Sequence, residues 1–256
     1  MYAVIVHHDD EVTPELVQAL AEVLGITVFD ARQKLVGQGP VVVSTYAEYA
    51  QAEAFLTRTK KHNFRAFITN VDEALNNRPV LVVEKFELKE SNISVHETGG
   101  RKASIAYKDI KFILPSVQRR GIAKENSVTE RKLSIGRTVM MGGLPMSKKV
   151  TRQETVLNDE YEHVLYLCGG NRARLVCGQN SMAFEGLKDE IKPTREMNYK
   201  LFISKIRQSC PDAVYDDRLM KRSAQAKLLG PTLNPDSFID LAVDILVTAA
   251  IGRTGC

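Results

Sequence analysis

Two groups of side chains in this 256-residue chain have the types and spacing to do chemistry. The first is His8-Asp9-Asp10, which follows an apolar run from Tyr2 and precedes Thr13-Pro14. A carboxylate here could accept hydrogen bonds from an ammonium group, and such charge-assisted bonds are roughly twice as strong as neutral ones. His7 and His8 beside the two acids also invite a metal reading. Consecutive residues on an extended strand point to opposite faces, however, so only one of each pair reaches a common centre. The plainer account of Asp9-Asp10 is a solvated loop leading into a helix cap at Thr13. The second group is Arg131, Lys132, Arg137, Lys148, Lys149 and Arg152. Basic residues on neighbouring strands could face an anionic headgroup or a phosphate backbone. The plainer account is a solvated sheet face, on which edge lysines also discourage aggregation. No aromatic residue interleaves with these charges. Single-stranded nucleic acid stacks its bases on aromatics, so no nucleic-acid partner is expected.

Other chemistry lacks its residues. Gly142-Gly143 and Gly169-Gly170 are not followed by the Lys-Ser/Thr of a phosphate loop, and no Gly-x-Ser-x-Gly elbow occurs. His62, His96 and His163 stand alone. Cys168, Cys177, Cys210 and Cys256 form no Cys-x-x-Cys pair, and no histidine lies at zinc-ligand spacing from them. They read as reduced packing thiols, with Cys256 exposed and incidental. The expectation is a protein that is not an enzyme and holds no cofactor and no metal.

The bulk numbers agree with a globular protein. Apolar residues make up 44% of the chain, enough for a core, and the net charge is only +4. The run Tyr2 to Val6 is too short for a signal-peptide core and has no basic flank. The apolar stretch Phe238 to Ile251 is interrupted by Asp240 and Asp244. It falls short of the ~20 residues that a membrane span needs. A soluble, cytoplasmic protein is expected.

The elements that would position these groups fall into two textures. Tyr2 to His7 reads as a strand. Thr13-Pro14-Glu15 opens a helix with a cap, a first-turn proline and an acid at the positive end. Leu16, Val17, Leu20, Val23 and Leu24 continue it, and Gly25 ends it. A short helix is expected over Phe29 to Leu35, a strand over Val41 to Thr45, a helix over Tyr46 to Lys61 and a strand over Phe64 to Thr69. Ala50, Ala54 and Leu56 are expected to face inward on that third helix. Asp72 to Pro79 is polar and reads as a domain boundary. Beyond it come strands at Val80 to Val95 and Ala103 to Leu114, joined near Gly99-Gly100. More are expected at Thr129 to Met141, Ser147 to Val156, Tyr161 to Cys168 and Arg172 to Cys177. Helices are expected at Thr194 to Ser209, Asp216 to Leu229 and Pro235 to Ile251. Tyr199, Phe202, Ile203 and Ile206 share one face of the first of these.

The text Val4-Ile5-Val6-His7-His8-Asp9-Asp10 with Thr13-Pro14, then Glu22 to Ile26, resembles the ClpS adaptor family over about seventy residues. That family shares its fold with the C-terminal domain of the ribosomal stalk protein. The resemblance implies a small β-α-α-β-α-β sandwich. It also implies a site that holds the α-ammonium of a protein substrate, with His8, Asp9 and Asp10 as its residues here. The chain departs from the family pattern in having His8 for Asn, one extra loop residue, Glu15 for a pocket Met and Gly37 for His. These departures favour shared fold over shared ligand. Residues about 84 to 210 are similar in layout to pleckstrin-homology-like domains, including GRAM relatives, through Ile105-Ala106-Tyr107-Lys108-Asp109-Ile110 and the helix around Tyr199. That similarity implies a bent antiparallel sheet closed by a helix.

The expected fold is therefore α+β. A ClpS-like domain covers 1–72, a pleckstrin-homology-like domain covers 80–210 and a helical extension covers 211–256. The expected function is protein–protein interaction. Alternatives are recognition of protein N-termini, or recruitment to an anionic membrane surface through the basic strands. If lipid is the ligand, the protein floats with acidic vesicles at low salt, and charge reversal at Lys148 and Lys149 abolishes flotation. Salt weakens the binding as the Debye length falls from about 10 Å at 0.1 M to about 3 Å at 1 M. No flotation at low salt leaves only the solvated face.

Overall fold

The computed structural model describes residues 1–8, 12–36, 39–62, 64–76, 80–97, 99–133, 147–169 and 174–254, with backbone alone over 120–133, 147–160 and 253–254. The chain is α+β. It divides into two compact units, residues 1–118 with 162–256, and residues 119–161. All the described helices belong to the first unit.

The N-terminal part of that unit runs β1 (Tyr2–His8), α1 (Pro14–Leu24), α2 (Val28–Leu35), β2 (Gly39–Tyr46), α3 (Tyr49–Lys61) and β3 (Arg65–Asn70). The local chemistry explains the helix ends. The Leu16 amide donates to Thr13 Oγ1 at 3.2 Å, and Gly25 closes α1 at φ 65°. The Asp30 amide donates to Thr27 Oγ1 at 3.1 Å, and the Thr27 hydroxyl donates back to the Asp30 carboxylate at 2.7 Å. The strands pair antiparallel in the order β2-β1-β3. Strand β1 is central, and both its faces are covered by other elements. Val4 and Val6 pack under α1, α2 and α3 with Val17, Leu20, Leu35 and Phe55. Ala3 and Ile5 face the other way, into a second core.

Two local expectations change. The inward face of α3 is Ala52, Phe55 and Thr59, while Ala50 and Ala54 are exposed and Leu56 is half-buried. Alanines at helical spacing do not orient a helix, whereas one buried aromatic does. Thr59 is tolerated inside because its hydroxyl donates to the Phe55 carbonyl at 2.9 Å. The start of the polar stretch after β3 is helical: α4 covers Val71–Asn76. Asn70 Oδ1 accepts from the Asp72 and Glu73 amides at 3.1 and 3.3 Å, and Val71 and Ala74 are buried one turn apart.

The second sheet comprises β4 (Val80–Leu88), β5 (Asn92–Glu97), β6 (Lys102–Ala106), β7 (Ile110–Leu133), β8 (Ser147–Gly169), β9 (Arg174–Gly178) and β10 (Val214–Tyr215), in the order β10-β7-β8-β9-β4-β5-β6. The stretch 80–95 is a hairpin, broken at Lys89-Glu90-Ser91, where the Lys89 amide donates to the Asn92 carbonyl at 3.0 Å and Tyr107 Oη donates to the Lys89 carbonyl at 3.1 Å. Gly100, at φ 81°, makes the next turn as its residue type suggests. A single 3-10 turn, Tyr107–Asp109, joins β6 to β7. These strands lie far apart in the sheet order, so the sheet curls round until this corner joins its two sides. Within the sheet, β9 lies parallel to β4, with Leu175 opposite Leu81, and β10 lies parallel to β7. Inside the curl, Tyr199, Phe202 and Ile206 of α5 (Arg195–Ser209) fill the core with Phe86, Phe184, Leu165 and Leu175. The rings of Phe86 and Phe202 lie 4.6 Å apart.

Helices α6 (Arg222–Leu229) and α7 (Pro235–Thr254) complete the unit. Every residue from Leu241 to Val247 is buried, as expected of an inside helix that is apolar almost all round. Helix α7 shares one core with Ala3, Ile5 and Val42 of the small sheet and with Phe112, Leu114, Val164, Tyr166 and Cys168 of the large one. The two acids that interrupt its apolar run both meet Arg174 of β9. Asp244, fully buried, pairs with the guanidinium, and Asp240 Oδ1 accepts from Arg174 Nη1 at 3.2 Å. Arg174 is itself 2% exposed and stands 6.0 Å from the Tyr166 ring. Burial, with Asp240 nearby, pushes the Tyr166 phenol well above its usual pKa, so it stays a neutral donor and acceptor beside the Gln118 amide.

A buried cation must be paired, and removing one partner of a buried ion pair costs about 3–5 kcal/mol. Asp244→Ala is accordingly expected to lower the unfolding free energy in urea by about that amount. The double change Arg174→Met with Asp244→Leu removes both charges and should recover most of the loss. A loss under about 1 kcal/mol for Asp244→Ala, the scale of an exposed pair, contradicts this role.

Candidate functional site

Helices α1 and α2 cross the outer face of the small sheet and leave a groove of about 630 Å³ between them. Its floor and walls are Val12, Pro14, Val17, Ala19 and Val28, and its polar lining is Glu15, Gln18, Glu22 and Arg32. Helix α2 contributes Val28 and Arg32 to this lining and presents further apolar side chains outside it. Ala31 and Leu35 form the buried stripe, so Phe29, Arg32 and Val36 fall outward at i, i+3 and i+7. Phe29 is 68% exposed, and Val28 and Val36 are each 48% exposed.

The groove is acid-edged along α1. The Glu15 carboxyl is held below its usual pKa by its backbone amide at the helix start and then by the Thr13 hydroxyl, so it is ionised at neutral pH. Gln18 Nε2 donates to Glu22 Oε1 at 3.0 Å, which orients that second carboxylate. Arg32 faces them from α2. The arrangement offers apolar contact with charge selection at its edge.

Of the candidate ligand-binding side chains that the sequence singled out, the structure describes only that of His8. It is buried, and its Nε2 lies 3.0 Å from the Leu35 carbonyl at the end of α2. His7 is buried as well. Asp9 and Asp10 lie outside the described residues, as do Gly37 and Arg137. Arg131 and Lys132 on β7, and Lys148, Lys149 and Arg152 on β8, have only their backbone described. Sequence reasoning missed the groove, although one signal was present: Val28 and Phe29 directly follow the Thr27 cap and precede the buried Ala31 and Leu35.

Among the described residues, no group of three or more His, Cys, Asp or Glu side chains could hold a metal ion. Cys168, Cys177 and Cys210 are buried free thiols. Burial pushes Cys177 up to about 12 and Cys210 up to about 11, so neither is a thiolate at neutral pH. No described helix is long and apolar enough to cross a membrane. In comparisons with known proteins, the chain matches no family model, no curated protein and no solved structure.

Proposed function

We propose that this is a non-enzymatic binding protein of the cytoplasm that docks a protein partner on the exposed apolar face of α2 and along the α1–α2 groove. The observation that carries the reading is Phe29, 68% exposed between Val28 and Val36 on a capped helix. Scattered apolar residues on a surface need no explanation, but an apolar patch rimmed by polar groups marks an interaction site. Aromatic residues are enriched in the cores of such interfaces. Glu15 and Glu22 select the partner: a segment with apolar side chains and flanking Lys or Arg fits, and an acidic one is repelled. The resemblance of the N-terminal part to adaptor folds, and of the second part to pleckstrin-homology-like folds, supports a binding role, since both implied fold types are recognition platforms. The ammonium site implied by the first resemblance has its own outcome in the test.

Peptides selected from a random display library on the intact protein should be apolar with basic flanks. Their affinity should fall about tenfold or more in Phe29→Ser, by the usual cost of losing an interface anchor, and the circular dichroism should not change. Selected peptides that bind Phe29→Ser as well as wild type refute docking on this face of α2. Peptides beginning with Leu or Phe should not bind. If they bind, and acetylation of their N-terminus abolishes it, the protein recognises protein N-termini instead.

A further inference from the structure

A second concavity, of about 650 Å³, lies on the far side of α2, where the α6–α7 connection meets the start of β2. We propose that it binds a small organic carboxylate with a short apolar body. Three observations carry this assignment. The first is an unmet charge. Lys34 of α2 and Lys227 of α6 line the same cavity from opposite elements, and both are half-buried. Among the described residues, neither makes an ion pair or a side-chain hydrogen bond. Lys200 and Lys205, by comparison, are held by Glu196 at 2.5 Å and by Glu190 at 2.6 Å. The acid at the start of α7 does not serve, because Asp236 is engaged by Arg222 at 2.6 Å. Burial also pulls the Lys227 ammonium below its usual pKa.

The second observation is the lining. Val41, Ala226, Pro231, Leu233 and Pro235 make most of the wall apolar. Inorganic phosphate or another hydrated ion would leave that wall unused, whereas a carboxylate on an aliphatic or aromatic stem uses both features. The volume is within the range of about 300–1,000 Å³ that small-molecule sites occupy.

The third is rigidity. Gly230 sits at φ 71° and packs so closely on β2 that an added Cβ would stand 2.8 Å from the Val42 carbonyl oxygen. Asn234 Oδ1 accepts from the Asp236 amide at 3.0 Å, which fixes the start of α7, and prolines stand at 231 and 235. The connection that forms one wall is thus held in place before any ligand arrives, which lowers the cost of binding.

Calorimetry on the intact protein at low salt tests this, with octanoate, octan-1-ol and inorganic phosphate as probes. Octanoate is expected to bind one to one, with both other probes at least tenfold weaker. Lys227→Gln and Lys34→Gln should each weaken octanoate about ten- to a hundredfold, the usual range for losing a hydrogen bond to a charged group. Neither should change octanol, and both lysines are exposed enough for the variants to fold. Phe29→Ser should leave octanoate untouched, which separates this site from the proposed protein-docking face. No binding of octanoate at millimolar concentration overturns the assignment. So does equal binding of octanol, unchanged affinity when Lys34→Gln and Lys227→Gln are combined, or loss of octanoate in Phe29→Ser.

Discussion

The buried pair of Arg174 and Asp244 is the constraint on which the rest of this unit depends. Helix α7 is apolar on nearly every side, so the hydrophobic effect draws it inside without telling it how to turn. Asp240 and Asp244 lie four residues apart and so share one face. Only one rotation of the helix brings that face to the guanidinium of β9. Any other rotation leaves a carboxylate in the core without a partner, at a cost far above that of imperfect packing. The pair thereby sets the rotation of α7 and, through it, which apolar residues meet each sheet.

From that placement the two sheets acquire a common core. Ala3 and Ile5 of β1 and Val42 of β2 reach α7 from one side, and Phe112, Leu114 and Val164 reach it from the other. The small sheet is then covered on both faces, by α7 within and by α1, α2 and α3 without. A sheet gripped in this way makes a firm base for its outer helices. The outward residues of α2 can therefore be given over to recognition, and the proposed groove stands on rigid elements. The carboxylate cavity is a by-product of the same arrangement, formed where the connection into α7 crosses the edge strand β2.

Much of the local structure was legible because its causes are local. Thr13-Pro14 and Gly25 mark α1, Thr194 marks α5, and Gly100 marks the turn before β6. What failed was decided at a distance. Alanine spacing in α3 could not reveal that Phe55 sets its buried face. A run of β-forming residues from Val80 hid the turn at Lys89-Glu90-Ser91, which lacks glycine and proline. The parallel pairing of β4 with β9 joins strands about ninety residues apart, and a chain read one hairpin at a time does not suggest it. Asp240 and Asp244 read as interruptions of an apolar run, although their spacing implied a buried cation. That cation lies 66 residues away from Asp240 and follows no motif. The α1–α2 groove was not legible for a related reason: its apolar lining of Val12, Pro14, Val17, Ala19 and Val28 comes from α1 with its lead-in and from α2, and follows no motif.

Native-state hydrogen exchange tests the central claim most directly, namely that one buried pair ties both sheets to α7. In the wild type, the amides of β1, β9 and the Leu241 to Val247 segment should share the slowest class and exchange only through global unfolding. In Asp244→Ala, all three sets should lose protection together and by the same free energy. If β1 keeps its full protection while β9 and α7 lose theirs, the small sheet is stable by itself and the pair is not what unites the fold.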